Sequence, residues 1–328
     1  MTIALSLPRQ SPASRLAPGL LLTAGIVVAA FTLRQVPALS MFSPLILAVV
    51  LGVGLRNALG LPAAALPGMQ FALRRLLRLG IVTLGLQLTL SQIAEVGLTG
   101  VAIIVTGLCA TFGFTTLAGR ALGVPANLTR LIATGTSVCG ASAVLAAHAI
   151  GGKSDEDVAY AIACVTLFGT AAMLVFPLLG QGLDPRAYGL WTGASIHEVA
   201  QVVAAGAQHG PEAAAFATIS KLTRVALLAP LILLMARAQG SESRAPFPLF
   251  VLGFLVLVLV ASSGLVPASV TAASVPLTQG LLAMGLAAMG LQTDVRRLAA
   301  RGLRPLALGA LASVFIAGLT LALVLIAA

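Results

Sequence analysis

Lys221 and Arg224 stand three residues apart near the middle of residues 213–236, a run apolar and long enough to cross a bilayer. A basic side chain at bilayer depth costs roughly 2.5–3.5 kcal/mol on insertion scales, so two of them require a negative partner. The guanidinium offers a planar fork to two oxygens and the ammonium a compact charge. A small oxyanion is therefore the natural ligand, and the pair is a candidate anion clamp. Snorkelling towards the interface is the competing account, but sliding this helix outward would draw Arg237 into the apolar core.

A second cluster, Ser195, His197, Glu198 and Gln201, lies in GASIHEVAQVVAAG. On a helix His197 and Gln201 share a face at i,i+4, while Ser195, Glu198 and Gln201 follow one another at i,i+3, so the four converge. Ser195 and Gln201 are expected to meet substrate. His197 or Glu198 is expected to carry a coupling proton, because ionisable groups at membrane depth mark ion pathways and imidazole titrates near neutrality. Alternatively, Glu198 is the structural counter-ion of Lys221 or Arg224. A third cluster, LIATGTSVCGASAVLAAHAI, gathers small and polar residues. They let helices pack closely, or Gly135 and Gly140 interrupt the helix. A freed helix N-terminus would then meet an anion beside Thr136, Ser137, Cys139 and Gly140. LTQGLLAMGLAAMGLQ, with Gly280, Gly285 and Gly290, is its expected glycine-interrupted mate.

Hydrolytic chemistry is the alternative function, with Ser195 or Ser137 as nucleophile of an intramembrane hydrolase and His197 as base. Neither serine has a G-x-S-x-G context. HEVAQ also lacks the second histidine of H-E-x-x-H, so neither a metal site nor a cofactor is expected. A channel would show a ring-forming repeat or filter motif, and none stands out.

These residues need a scaffold, and the composition names it. Of 328 residues 59% are hydrophobic and only 9% charged, with mean hydropathy +1.06, which excludes an ordinary water-soluble domain. Cys109, Cys139 and Cys164 all fall in apolar runs and are expected to be reduced, buried thiols. Apolar runs mark about eleven spans near 17–33, 42–58, 73–90, 98–118, 131–150, 158–179, 189–206, 213–236, 247–264, 277–292 and 305–327. With the N-terminus cytoplasmic, this count puts every basic residue in a cytoplasmic loop except Arg34 and Lys153 outside and Lys221 and Arg224 within a span. The net charge of +10 is thus a matter of topology, and nucleic acid is not an expected partner. Ser154 with Asp155, Glu156 and Asp157 resembles a capping box. Arg9 and Arg15 precede the first span as in a signal peptide, but no small-residue cleavage site follows, so that span is expected to stay.

The fold class expected is an all-α polytopic membrane protein. Residues 1–40 would form a cytoplasmic N-terminus and a peripheral first helix, followed by two inverted five-helix units with broken helices, 41–180 and 181–328. Thr134-Gly135-Thr136-Ser137 echoes Thr192-Gly193-Ala194-Ser195, although the count makes those helices non-equivalent.

The motifs Thr136-Ser137-Val138-Cys139-Gly140-Ala141, His197-Glu198-Val199-Ala200-Gln201-Val202-Val203-Ala204-Ala205 and Ser220-Lys221-Leu222-Thr223-Arg224-Val225 are similar to signatures of the YeiH-type sulfate exporter family. Leu228-Ala229-Pro230, Leu76-Leu77-Arg78-Leu79-Gly80-Ile81 and Leu90-Ser91-Gln92-Ile93 are similar as well. The resemblance covers about residues 17 to 327 and implies a bacterial inner-membrane protein with the antiporter or bile-acid-symporter type of two-unit fold. It also implies sulfate or a related small anion as cargo. The function expected is a secondary transporter working by alternating access with proton or sodium coupling, and eleven spans from a cytoplasmic N-terminus put the C-terminus in the periplasm. The expected partners are that anion, the lipid bilayer and a second copy of the chain.

Overall fold

The computed structural model describes residues 12–36, 39, 42–150, 154–238, 249–294 and 302–327. Helices account for nearly all of it: α1 (Pro12–Leu33), α2 (Pro44–Leu59), α3 (Leu66–Phe71), α4 (Leu77–Leu84), α5 (Leu90–Glu95), α6 (Gly97–Ala121), α7 (Ala126–Ser137) and α8 (Ala141–Ala149). They continue as α9 (Asp155–Leu179), α10 (Pro185–Ser195), α11 (Val199–Gln208), α12 (Pro211–Ala226), α13 (Leu228–Ala238), α14 (Leu249–Ser262), α15 (Ala268–Gln292) and α16 (Leu303–Ala327). Six segments are long and apolar enough to cross a membrane: Ser14–Leu33, Gly97–Ala121, Glu156–Leu179, Pro211–Arg237, Ala268–Gln292 and Leu303–Ala327. This is a membrane protein. A widened π turn, Ala72–Leu76, joins α3 to α4 in one rod.

Local signals set the starts. Ser43, Ser154 and Asp184 cap α2, α9 and α10, Ser154 Oγ accepting from the Asp157 N–H at 3.2 Å and Asp184 Oδ1 from the Arg186 N–H at 2.9 Å. The capping role expected of Ser154 holds, while the side chain of Asp155 lies outside the described residues. Pro44, Pro185 and Pro211 occupy first helical turns, where their missing N–H goes unneeded.

Two expected spans, 131–150 and 189–206, do not cross. Along one continuous helix Gly135 and Val144 would lie about 13 Å apart. Instead a Cβ on Gly135 would stand 2.8 Å from Val144 Cγ2, so α8 runs back along α7. Asn127, opening α7, donates to Asp157 Oδ2 at the start of α9 at 2.8 Å, so the entry to α7 and the exit from α8 share one face. In the second case His209 Nε2 meets the Leu183 carbonyl at 3.0 Å, the Tyr188 and His209 rings stack at 4.1 Å, and Tyr188 Oη donates to the Ala205 carbonyl at 3.2 Å. The pairs α7–α8 (hairpin A) and α10–α11 (hairpin B) are therefore re-entrant. They enter from opposite faces, because α9 traverses the bundle between them.

Further ties fix the faces. Arg56 bonds Asp294 at 3.0 Å on the face where hairpin A enters, the basic face. On the far face the Ser43 N–H donates to Gln208 Oε1 at 2.6 Å, and Arg186 meets both Glu95 (3.0 Å) and Glu212 (2.8 Å). These acids hold the Arg186 guanidinium above its ordinary pKa, the Glu212 hydrogen bond contributing most. Arg186 thus lies opposite the face the span count gave it, and His148, at the end of α8, falls on the basic face. Lys153, Arg9, Arg244, Arg296, Arg297 and Arg301 lie outside the described residues.

Packing divides the helices into two groups. One joins α1–α4 with α14 and α15; the other gathers α6–α13 with α16 around the hairpins. Across the seam the touching elements are mainly α11 against α2, α4 and α15. The expected mate of hairpin A, within α15, is an unbroken helix from Ala268 to Gln292; a Cβ on Gly285 would meet Leu77 Cβ at 2.6 Å and one on Gly290 the Val49 carbonyl at 2.4 Å, while Gly280 faces open space. The other re-entrant pair is hairpin B. Thr134–Ser137 ends α7 and Thr192–Ser195 ends α10, so each stretch closes the first arm of a hairpin. Both glycines of the echo are tightly packed, Gly193 against Ala217 and Ser220, Gly135 against Val144 and Val165.

Candidate functional site

Each hairpin arm ends in backbone groups without helical partners. In hairpin A the chain turns at Val138-Cys139-Gly140, with Gly140 at φ +69°, a conformation suited to glycine. In hairpin B it turns at Ile196-His197-Glu198, where Ile196 and Glu198 are extended. The tips meet, and their carbonyls face α12. Lys221 Nζ donates to the carbonyls of Val138 and Ile196, both at 2.7 Å. Arg224 donates Nε to the Ser137 carbonyl at 2.7 Å, Nη1 to the Ile196 carbonyl at 3.1 Å, and Nη2 to the Thr136 carbonyl. Both side chains are wholly buried. The compensation their positions demand comes from peptide oxygens at the negative ends of α7 and α10.

The opposite ends of the arms are met by a carboxylate. Glu198 Oε1 accepts the Ala141 N–H at the start of α8 at 3.3 Å. Glu198 is also the N-cap of α11, its N–H donating to Gln201 Oε1 at 3.1 Å and its carboxylate facing the third N–H of that helix. Among the described ion pairs none joins Glu198 to Lys221 or Arg224. A Cβ on Gly140 would stand 2.6 Å from Glu198 Cγ, so the tip of hairpin A fits against the carboxylate only as glycine.

A cavity of about 170 Å³ opens at the N-terminal ends of α8 and α11. Cys139, Ala141, Ser142 and Glu198 form its tip wall, Thr166 and Gln292 add polar groups from α9 and α15, and Arg74 and Arg78 approach from the π turn and α4. A second space of about 760 Å³ enters the same seam from the far face, bounded by Glu95, Arg186 and Glu212 and reaching Thr218 and Thr278.

The expected site residues thus separate. Cys139 and Glu198 meet at the cavity, and Gly140 packs against Glu198 behind its wall. Thr136 and Ser137 contribute carbonyls to Arg224, and the Ser137 hydroxyl is buried without a partner. Ser195 donates to the Trp191 carbonyl one turn back at 2.5 Å, and Gln201 ties hairpin B to Thr166, Thr170 and Met289. Neither lines the cavity. His197 Nε2 meets Ser313 Oγ at 3.1 Å. Since the Ser313 proton goes to the Gly309 carbonyl at 2.7 Å, Nε2 carries the imidazole hydrogen, and Nδ1 is left as a buried acceptor without a partner. Neither Ser195 nor Ser137 bonds to His197, so the serine–histidine pairings considered for hydrolysis are not assembled. Lys221 and Arg224, the expected clamp, are not on the cavity wall; their donors bond peptide carbonyls of both hairpin tips. Arg74, Arg78, Thr166 and Gln292 were missed as site residues. The two arginines looked like topogenic loop charges, and only the family-like stretch around Arg78 hinted otherwise.

The family model described as Conserved hypothetical protein 698 matches residues 18–309. The chain is 39% identical over 306 residues to the UPF0324 inner membrane protein YeiH of Escherichia coli, covering 88% of each chain. It is 42% identical over 266 residues to a UPF0324 membrane protein of Corynebacterium glutamicum, covering 78% of this chain and 76% of that one. To a UPF0324 membrane protein of Bordetella pertussis it is 36% identical over 323 residues, 93% of each. The chain belongs to the UPF0324 family. The family match spans α1 to the first turns of α16, so both hairpins, the bracing pair and the cavity of this UPF0324 protein lie inside it.

Proposed function

We propose that this UPF0324 protein is a secondary transporter of a small anion, with sulfate as the first candidate, working by alternating access. The observation that carries this reading is the meeting of two re-entrant hairpins from opposite faces beside a cavity walled by two helix N-termini. Irregular backbone at membrane depth is tolerated where it is buried or lines a polar space, and half-helix N-termini are the membrane version of an anion site. Charge supports an anion over a cation. Each helix end carries about half an elementary charge. Glu198 offsets the two positive ends, while Lys221 and Arg224 exceed the two negative ones by about one charge. That surplus favours a bound anion.

Two opposed spaces on one seam support alternating access, the α6–α13 and α16 group shifting against α1–α4, α14 and α15. The pairing of hairpin A with hairpin B, and of α6 with α16 beside them, supports an inverted repeat in which each packing group takes helices from both halves of the sequence. Arg15, Arg56, Arg74, Arg75, Arg78, Arg120, Arg130, Arg237 and Arg304 gather on the basic face against Arg34 and Arg186 on the other. The positive-inside rule then makes the basic face and the N-terminus cytoplasmic and the C-terminus periplasmic. Coupling to protons or sodium belongs to the same proposal, with His197 and Glu198 as the coupling residues.

Vesicles reconstituted with the protein should accumulate radiolabelled sulfate against a pH or sodium gradient, and Arg74→Gln with Arg78→Gln should lower the initial rate by about ten-fold, roughly 1.4 kcal/mol of lost anion attraction. Uptake of neither sulfate nor any competing anion, by protein that is monodisperse and folded, overturns the reading.

A further inference from the structure

The Glu198 carboxylate occupies the place where the cavity would hold its anion. It touches the first N–H of α8 and faces the third N–H of α11, so one side chain sits at the positive ends of both hairpins. The contact to Ala141 is long at 3.3 Å, and the carboxylate stands on the cavity wall, where a small displacement uncovers both helix ends. A second anion placed there would lie within a few ångström of it, and like charges that close in a half-buried space repel strongly.

We infer that Glu198 is a tethered occupant of the anion site, displaced by cargo only when it takes up a proton, so that anion and proton enter the cavity together. The inference rests on the anion-transport reading and specifies its coupling: one proton, accepted by the Glu198 carboxylate from the face to which the cavity opens, for each anion admitted. Other charged or titratable groups face Glu198 from every side. His197 precedes it on the same tip, Cys139 faces it from hairpin A, and Arg74 and Arg78 approach across the cavity. Lys221 and Arg224 on α12 are engaged with tip carbonyls, while α9 and α15 contribute only uncharged groups to the wall, Thr166 and Gln292 among them. Of the two other titratable groups, Cys139 is the probe and His197 is tested by the variant below.

Cys139 on the wall makes the test possible without knowing the cargo. In full-length protein carrying Cys109→Ser and Cys164→Ala, the labelling rate of Cys139 by a sulfonate-bearing methanethiosulfonate is divided by the rate with its trimethylammonium analogue. The thiolate fraction cancels in this ratio, leaving the preference of the cavity for negative over positive charge. With Glu198 present the ratio should rise about ten-fold or more as pH falls from 8 to 5, the order expected for loss of one nearby charge in a partly screened space. With Glu198→Gln it should be high at every pH, and Glu198→Asp should restore the slope. A flat ratio in the parent protein, with a high one in Glu198→Gln, overturns the tethered-anion inference and leaves the anion site standing. A slope that survives Glu198→Gln assigns the proton to His197 and overturns it too. A ratio below one in Glu198→Gln, or no labelling of Cys139 by either reagent, overturns both the inference and the anion cavity. If Glu198→Gln does not fold, the parent slope and the Glu198→Asp slope decide alone.

Discussion

Replacing Lys221 by methionine separates a brace from a clamp, because the two roles predict opposite changes in a protein with no anion present. Methionine keeps most of the aliphatic stem and removes the ammonium. The Val138 carbonyl then loses its 2.7 Å partner, while the Ile196 carbonyl keeps Arg224 Nη1 at 3.1 Å. One orphaned buried acceptor costs about 1–3 kcal/mol and one weakened bond about 0.5–1.5 kcal/mol, so Lys221→Met should destabilise by about 2–4 kcal/mol. Arg224→Met orphans the carbonyls of Thr136 and Ser137 and should cost more, about 2–6 kcal/mol. Ile196 is the shared acceptor, orphaned only when both cations are gone, so the double variant should exceed the sum of the singles by about 1–3 kcal/mol. Trp191, the single tryptophan, lies on α10 stacked on Phe176 at 4.0 Å and reports on hairpin B directly. Its fluorescence during denaturant unfolding in anion-free detergent is the assay. If the cations instead awaited an anion, removing one would relieve uncompensated buried charge and raise stability. Unchanged or increased stability of Lys221→Met, with only the anion-induced shift lost, refutes the brace.

Other consequences are open to direct measurement. Gly140→Ala, forced to φ +69° with its methyl against Glu198, should lose about 1–3 kcal/mol of stability and most uptake activity, whereas Gly25→Ala, with open space around it, should be neutral in both assays. Gly169→Ala would drive a methyl to 2.1 Å from Gln201 Oε1 and should disrupt the α11 cap, read as a loss of Trp191 unfolding cooperativity. For topology, cysteines at Ala126 and Ala149 should react with impermeant thiol reagents from one side of the membrane, and cysteines at Gly182 and Ala207 from the other. Eleven crossings would instead split each pair, and either split is enough to discard the hairpins.

That topology test matters because the charge pattern could not see the error. Converting two crossings into two re-entrant hairpins changes the count by two, so parity and the sides of both termini are preserved. Only the stretch between the hairpins changes side, and among the described residues Arg186 is its one basic residue. The arms are as apolar as short spans, and α7 with α8, or α10 with α11, totals about the length of one crossing, so hydropathy sees a single helix. What the sequence does carry is the turn chemistry. Cys139-Gly140 marks a tip, and Leu183-Asp184-Pro185 and His209-Gly210-Pro211 mark where hairpin B enters and leaves. Two of those marks look like ordinary loop ends until Leu183 and His209 are found 3.0 Å apart. The chemical residues were legible by type: Lys221, Arg224, His197, Glu198 and Cys139 all gather at the tips. Their partners were not, since peptide carbonyls and N–H groups leave no trace in a list of side chains.

The same accounting explains why such a site tolerates its own charges. Two hairpins driven tip to tip bring four helix ends together, two of each sign, at a depth where water does not screen them. Placing Lys221 and Arg224 on α12, outside both hairpins, lets one helix neutralise the negative end of each, and the shared Ile196 carbonyl locks the tips to each other. The positive ends are handled differently. Their carboxylate belongs to a tip, can be protonated, and borders open space. The negative pole is therefore fixed and the positive pole adjustable, an asymmetry that suits the proposed release and admission of an anion. It also assigns the phenotypes: Lys221 and Arg224 variants should fail in folding assays before transport is ever measured, and Glu198→Gln should fold and bind while losing its dependence on pH.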